Sequence, residues 1–171
     1  MAEIWDVYDI NENKLNKKVE RDDGMLQEGE YHLSVDVWIV NSRKQFLIQK
    51  RSPSKRLFPD MWECSAGGAV VSGETSYQAC IREVYEELGI EIDMKNAKMV
   101  HKFVRNKNAL MNVWLVQQNI NLEDIKLQEE EVADVKYASV EDIKLMINDN
   151  VYVPVVVDGL KACLKCLGID Y

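Results

Sequence analysis

The sequence contains few of the residues that interrupt regular structure or bind soft metals. Its 171 residues include three prolines, four cysteines and two histidines. It has no apolar run of the roughly 18 or more residues that a membrane-spanning helix needs. The first residues, from Met1 to Asp6, lack the basic and apolar regions of a secretory signal peptide. We therefore expect a cytoplasmic protein with no membrane partner.

The chain is also poor in positive charge, because 21 lysines and arginines face 29 acidic residues and the net charge is −8. This balance argues against general binding of a nucleic acid polymer. A small phosphorylated ligand remains compatible with it, since a bound cation can bring phosphate to an acidic site.

The cysteines and histidines do not complete a recognisable metal-binding motif. Cys163 and Cys166 have Cys-x-x-Cys spacing, but no second cysteine pair or nearby histidine accompanies them. They fall one turn apart in a predicted helix, and we interpret them as packing residues. His32 and His101 are isolated in strand-like segments, and we interpret both as ordinary, partly buried side chains.

Apolar residues make up 47% of the chain, enough for one folded domain with a core. Residue types and turn signals predict strands over 4–10, 14–20, 31–40, 45–50, 61–71, 98–105, 109–117 and 132–137. Capping residues predict helices that begin near 76, 140 and 154.

This order of elements predicts an α/β fold in which helices pack on the faces of a mixed sheet. Within it, 61–71 should be a strand pair broken at Gly67-Gly68, and 90–93 a further short strand. The polar segment 21–30 should be a loop. We expect residues 1–29 to be an appendage of the same domain and residues 30–171 to form its main part.

The segment from 68 to 90 has the most informative pattern in the chain. It reads Gly-x5-Glu-x7-Arg-Glu-Val-x-Glu-Glu-x-Gly-Ile. A chance match is on the order of 10⁻¹⁰ per starting position. Thr75 and Gln78 form a capping-box pair that predicts a helix from about Ser76. Gly89 is the expected C-terminal stop.

The helical period predicts two different faces on this helix. The first is an apolar stripe made of Tyr77, Ile81, Val84 and Leu88. The second carries Glu83, Glu86 and Glu87. Like charges at this spacing cost roughly 0.2–0.5 kcal/mol per pair, a cost that a divalent cation would remove. Hard carboxylate ligands favour Mg²⁺ or Mn²⁺ over zinc.

The pattern resembles the signature of the Nudix family, and all nine of its defined positions are filled. The resemblance covers about residues 30–150. It implies the α/β/α sandwich of that family and hydrolysis of a diphosphate linked to another group, X. It also implies that Glu83, Glu86 and Glu87 hold a divalent metal, with a backbone carbonyl of Gly67 or Gly68 as a further ligand.

The same resemblance implies further roles. Arg82 matches the arginine that orients a neighbouring carboxylate, and Glu74 matches a glutamate whose role varies. Some members use a glutamate of the helix as the general base, whereas others use a later loop, here 129–131. That loop could also be a solvated acidic turn. We take Glu86, Arg82 and Glu130 as the candidate catalytic residues.

A second resemblance runs from 31 to 92. Segments 32–34, 51–55 and 59–62 look like the isopentenyl diphosphate isomerase branch of the same superfamily. In that branch, basic residues that match Arg51 and Lys55 grip the substrate diphosphate, a role that suits two cations on one loop. The alternative is a charged surface loop.

Isomerase chemistry is not expected, because its catalytic cysteine falls at Gly67 and its metal-binding histidine at Ala69. Cys64 lies at an odd offset from Gly67, which in a continuous strand would point its side chain to the opposite face.

We therefore expect a Mg²⁺- or Mn²⁺-dependent hydrolase that cleaves a diphosphate linkage in a nucleoside diphosphate-X or related small molecule. Water would attack phosphorus. The alternatives are a non-catalytic ligand-binding Nudix module and an isomerase. A homodimer is also possible, because exposed sheet edges can pair.

Overall fold

The computed structural model describes residues 3–21 and 26–171, so part of the predicted 21–30 loop lies outside it. The strands are β1 (Ile4–Tyr8), β2 (Lys14–Glu20), β3 (His32–Val40), β4 (Phe46–Arg51), β5 (Trp62–Glu63), β6 (Ala66–Ala69), β7 (Ala97–Arg105), β8 (Ala109–Gln117) and β9 (Val132–Ala138). The α-helices are α1 (Ser76–Leu88), α2 (Val140–Asn148) and α3 (Val157–Leu167).

The N-terminal hairpin forms its own antiparallel pair, β1 with β2. The carboxylate of Asp9 closes its turn by accepting backbone hydrogen bonds from Asn11 and Asn13. Tyr8 then exchanges two backbone hydrogen bonds with Tyr31 at the start of β3. Because Val7 is fully buried and Tyr8 is nearly so, the hairpin shares the core of the main sheet.

The main sheet has the strand order β5-β4-β3-β8-β7, with β6 also paired to β3 and β9 to β4. Strand β3 runs parallel to β8 but antiparallel to β4 and β6. The predicted mixed sheet is therefore confirmed.

Each face of this sheet is covered by helix. Side chains alternate along β3, so that Val35, Val37 and Ile39 pack beneath α1, which supplies Val84 and Leu88. On the other face, Trp38 and Val40 of β3 pack with side chains of α2 and α3, namely Val140, Ile143, Leu160, Cys163 and Leu164. This arrangement confirms the predicted α/β/α sandwich.

Two local predictions are wrong. Gly67 and Gly68 do not interrupt a strand pair but lie within β6, where they pair with Asp36 and Val35 of β3. The interruption is at 64–65, where the Ser65 hydroxyl bridges two strands by donating to Leu47 O and accepting from Ile39 N–H.

The segment 90–93 forms no strand. The side chain of Gln118 satisfies backbone groups there, because its Oε1 accepts from Asp93 N–H and its Nε2 donates to Glu91 O. These bonds replace a strand ladder. The last helix begins with a 3₁₀ turn at Pro154–Val156 before α3. Within α3, Cys163 is buried and Cys166 is exposed, so the two thiols do not share an environment.

Candidate active site

Helix α1 is fixed at both ends by the predicted residues. The Thr75 side chain accepts from Gln78 N–H, and the Gln78 side chain accepts from Thr75 N–H, which completes the capping box. Gly89 ends the helix in the left-handed region at φ 67°, where glycine carries no steric penalty.

The predicted apolar stripe of α1 is only half correct. Val84 and Leu88 are fully buried, but Tyr77 and Ile81 are largely exposed. The buried face instead consists of Ala79, Cys80, Val84, Glu87 and Leu88. The helix is therefore rotated so that a carboxylate, and not only apolar side chains, faces the sheet.

Arg82 connects the acidic side chains at the exposed edge of that face. It forms a two-point contact with Glu74, from Nε to Oε1 at 3.0 Å and from Nη2 to Oε2 at 2.9 Å. Its Nη1 donates to Glu83 and Glu86, at 2.8 and 3.0 Å. Its Nη2 also donates to the carbonyl of Ala69 at 2.9 Å, which ties α1 to β6. Arg82 therefore contacts three carboxylates, and its role in orienting them stays a prediction.

Glu83 lies against β6 at a position where only glycine leaves space. A Cβ added to Gly68 would be 2.1 Å from Glu83 Oε1. Burial raises the pKa of Glu83 to about 6, although the neighbouring Arg82 guanidinium acts to lower it.

Glu87 is the most deeply buried of the three predicted metal ligands. Its Oε2 accepts from Gln49 Nε2 at 3.0 Å and from the backbone N–H of Gly67 at 3.3 Å. Burial raises its pKa well above the usual range, and the nearby charges of Glu83 and Glu63 act in the same direction. A buried carboxylate with this environment favours a cationic ligand.

These side chains line a cavity of about 190 Å³, which we call the acidic cavity. Its wall includes Glu83, Glu86, Glu87, Arg82, Gly67 and Glu131. The structure therefore brings together all three predicted carboxylate ligands and the predicted glycine.

The donor set fits a hard divalent cation by its chemistry, since carboxylate oxygens surround a small polar cavity that the missing side chain of Gly68 keeps open. Within residues 3–21 and 26–171, however, no three acidic, histidine or cysteine side chains are arranged closely enough to enclose an ion. Glu83 and Glu86 are instead turned toward Arg82.

The two predicted phosphate-binding residues lie near the cavity but are already paired. Lys55 lines the acidic cavity and pairs with Glu131 across its rim. Arg51 donates to Glu63 at 2.6 Å and to the carbonyl of Leu57 at 3.0 Å, beside the cavity rather than in it.

Among the acidic residues of the 129–131 loop, Glu131 lines the acidic cavity and Glu130 does not. Glu129 and Glu130 are exposed. The loop after β4 holds both residues by their carbonyls, since Ser52 N–H donates to Glu131 O at 2.8 Å and the Ser54 hydroxyl to Glu130 O at 3.1 Å. The Glu131 carboxylate in addition pairs with Lys55, which also lines the acidic cavity.

A second cavity, of about 360 Å³, adjoins the first. More of its wall is apolar than polar, and we call it the apolar cavity; its apolar members include Trp5, Leu57, Phe58, Met111, Val153 and Val156. Both cavities share residues 67–69 and Arg21. No motif in the sequence points to Trp5 or to Gln49.

The isomerase positions hold Gly67 and Ala69, as expected. Strand alternation does not relate Cys64 to Gly67, because 64 lies in the break between β5 and β6, so that expectation is wrong, and both residues line the apolar cavity. Cys64 is nonetheless a poor nucleophile, since burial raises the pKa of its thiol well above its ordinary value.

The α/β/α sandwich, in which the glutamate-bearing helix α1 packs on the strand β6 with its two glycines, is the arrangement of a Nudix fold. A NUDIX domain model matches residues 30–156. An uncharacterised Nudix hydrolase of Listeria innocua is 39% identical over 155 residues, 89% of each chain. A crystal structure of a Deinococcus radiodurans protein has a TM-score of 0.79 at 25% identity, covering 94% of this chain and 99% of that one.

An isopentenyl-diphosphate Delta-isomerase of Salmonella heidelberg is 41% identical over 61 residues, which is 36% of this chain and 34% of that protein. The chain therefore belongs to the Nudix family and is a Nudix-type hydrolase. Its likeness to the isomerase is limited to about a third of its length. No helix in the part of the chain that the structure describes is long and apolar enough to cross a membrane.

Proposed function

We propose that this chain is a Mg²⁺- or Mn²⁺-dependent hydrolase that cleaves the diphosphate linkage of a nucleoside diphosphate-X or a related small molecule. The proposal rests on one observation: Glu83, Glu86 and Glu87 line the same cavity as the two glycines of β6. Glu87 is buried and the Glu83 side chain is largely so, whereas Glu86 is exposed. Two carboxylates buried this close together are costly without a cation.

Glu83, Glu86 and Glu87 would hold the ion, together with the backbone carbonyl of Gly67. When bound, the ion would neutralise charge on the diphosphate and lower the pKa of the attacking water. Arg82 would keep Glu83 and Glu86 in position through the contacts that it already makes with both.

In the reaction, the oxygen of water forms a bond to one phosphorus, and the bond from that phosphorus to the bridging oxygen breaks. The bridging oxygen leaves with the other phosphate. A glutamate takes the proton of the water. Glu86 and the 129–131 loop were the predicted bases, and within that loop the cavity geometry favours Glu131 over Glu130.

Lys55 is the better placed of the two candidate phosphate-binding residues. Its pairing with Glu131 is a partly exposed ion pair, of a kind that contributes about 0–1 kcal/mol and that a phosphate can replace at little cost. Arg51 is held more firmly, because its partner Glu63 is buried.

The two alternatives have less support. An isomerase would need reactive groups at Gly67 and Ala69, where this chain has none. A non-catalytic binding module would not need the full set of three cavity-facing glutamates.

The test is turnover of Glu86→Gln and Glu87→Gln on a panel of nucleoside diphosphates, nucleotide sugars, dinucleotides and prenyl diphosphates. We expect a loss of roughly 10²–10⁴-fold with an intact fold. Hydrolysis in oxygen-18 water should label a phosphate product. Full activity of the variants, or of the wild type in excess chelator, would contradict the proposal, and label on the non-phosphate product would contradict attack on phosphorus.

A further inference from the structure

The apolar cavity differs from the acidic cavity in whether its charged side chains have oppositely charged partners. Five charged side chains line it, and each has an oppositely charged partner among the described residues. The pairs are Arg105 with Asp36, Arg51 with Glu63, and Arg21 with Glu3. In the acidic cavity, by contrast, Glu87 is bonded only to neutral groups, the Gln49 amide and the Gly67 N–H.

The pairing of Asp36 and Arg105 is the most complete of the three. Both Nη atoms of Arg105 donate to the Asp36 carboxylate, and Nη2 also donates to Val155 O at 3.0 Å. Both side chains are largely buried. Breaking such a pair leaves an uncompensated buried charge, so neither residue is free to bind a charged group.

Besides its charged side chains, the apolar cavity is lined by uncharged polar side chains and by apolar ones. The uncharged polar ones are His32, Ser34, Asn106 and Asn108. Trp5 lies on β1 and stacks on His32 of β3, with ring centroids 4.3 Å apart and planes at 16°. Leu57 is more than half exposed, and Phe58 follows it on the loop after β4. Met111 lies on β8, and the segment before α3 contributes its valines.

The position of Trp5 is held by a hydrogen bond from its Nε1 to Glu3 Oε1 at 2.8 Å. Both residues belong to the N-terminal hairpin, which precedes the segment matched by the NUDIX domain model. The hairpin therefore supplies a wall of the cavity that the core of the family domain does not.

We propose that the apolar cavity takes the end of the organic group attached to the substrate diphosphate, that this end is neutral and largely apolar, and that Trp5 determines how tightly it binds. A neutral group suits a wall in which the two largely buried ion pairs, Arg105 with Asp36 and Arg51 with Glu63, are already formed. Burying apolar surface against aromatic and aliphatic side chains is favourable. The shared residues 67–69 place this group beside the diphosphate in the acidic cavity. This inference rests on the proposed function.

A nucleobase and a short branched hydrocarbon both have this chemistry. The experiment therefore compares a nucleoside diphosphate and a short prenyl diphosphate with a nucleotide sugar and inorganic pyrophosphate. We expect kcat/KM for one of the first two to exceed that for pyrophosphate by at least about 10-fold. Whichever of the two is preferred identifies the source of the apolar group.

The variant is Trp5→Ala, with Trp5→Phe as the conservative form. Trp5→Ala should raise KM for the preferred substrate by about 10-fold, with kcat and pyrophosphate turnover unchanged, and Trp5→Phe should restore most of the loss. Ile10→Ala is the matched control, because Ile10 is an exposed apolar residue of the same hairpin that lies outside both cavities.

Calorimetric binding of the nucleoside and prenyl monophosphates gives a readout that needs no turnover. A Trp5-dependent affinity in the absence of any hydrolysis would support the inference and contradict the proposed function. Hydrolysis in which Trp5→Ala and Ile10→Ala behave alike, or in which pyrophosphate or the sugar substrate is preferred, would overturn the inference and leave the proposed function standing.

Discussion

The carboxylate of Glu83 occupies the space in which a side chain at Gly68 would begin. A Cβ on Gly68 would lie 2.1 Å from Glu83 Oε1, well inside contact distance. Glycine is required here by the close approach of α1 to β6, whereas its neighbour Gly67 is limited by the backbone of Val35, whose oxygen would be 2.9 Å from an added Cβ. Replacing each of the two glycines by alanine should therefore have a different effect on the enzyme.

Gly68→Ala should keep the fold but impair catalysis, because the obstructing group is the end of a side chain that can move aside. The displaced Glu83 would no longer point into the cavity. We expect metal affinity or turnover to fall by roughly 10- to 100-fold. Gly67→Ala is the comparison, and it should lower the melting temperature, since a strand carbonyl cannot move freely. A Gly68→Ala enzyme with wild-type turnover and wild-type Mg²⁺ dependence would show that Glu83 does not act in the cavity.

Arg82→Lys tests whether the arginine positions the carboxylates or only neutralises them. Lysine keeps the charge but cannot make the two-point contact with Glu74 while also reaching Glu83 and Glu86. We expect a loss of roughly 10- to 100-fold in kcat with a raised Mg²⁺ requirement. Arg43→Lys, at an exposed turn, is the control. If the positive charge alone were sufficient for activity, the kcat of Arg82→Lys would equal that of the Arg43→Lys control.

The sequence predicted the ends of α1 and the residues that gather at its acidic face, because capping and helical spacing are local properties. It could not predict the rotation of α1, and it put Tyr77 and Ile81 on one apolar stripe with Val84 and Leu88 although both are exposed. The helical period gives the angular spacing of residues around the helix axis, but it does not say which side of the helix packs on the sheet. In the structure, that side of the helix carries Ala79, Cys80, Val84, Glu87 and Leu88.

The choice among Glu129, Glu130 and Glu131 was also beyond the sequence. These consecutive residues have the same chemistry, and tertiary contacts distinguish them: Ser52 N–H bonds the backbone of Glu131, and Lys55 pairs with its carboxylate. For Gln49, the sequence contains a weak indication of its position beside Glu87. Gln49 lies two residues after Leu47 on β4, so strand alternation would have placed it on the same face, toward α1 and Glu87.

Lys55→Ala should lower kcat/KM by about 10- to 100-fold, because a charge-assisted contact to phosphate contributes roughly 1.5–3 kcal/mol. Its stability should change little, since the pair with Glu131 is partly exposed. Lys44→Ala is the control, because Lys44 is an exposed cation on a different turn.

Arg51→Ala should also lower kcat/KM, and it should in addition destabilise the fold, since Glu63 is left buried without its cation. Thermal melting separates the two effects. If Lys55→Ala and Arg51→Ala both match Lys44→Ala in kcat/KM, the loop does not bind the substrate, and its resemblance to the isomerase branch stops at the fold.

The last prediction concerns Asp6, which fastens the hairpin to the loop before α1. Its carboxylate accepts from Lys14 Nζ at 2.6 Å, from the Ser72 hydroxyl at 3.0 Å and from Gly73 N–H at 2.8 Å. Burial acts to raise the pKa of Asp6, but these hydrogen bonds outweigh it and hold the pKa below the ordinary value of 3.8. The ionised form is therefore the one that the folded state favours.

Asp6→Asn should destabilise the protein by about 1–3 kcal/mol at pH 7, because the amide cannot accept all three bonds. Since the folded pKa of Asp6 is lowered, its contribution is complete above 3.8 and is lost as the pH falls through the folded value. Urea denaturation of wild type and variant should therefore give free energies that differ at neutral pH and converge in acid. Lys14→Met should cost no more than about 1 kcal/mol, because the lysine is half exposed and the bonds to Ser72 and Gly73 persist. A difference between wild type and Asp6→Asn that did not shrink in acid would mean that the carboxylate charge is not what holds the hairpin in place.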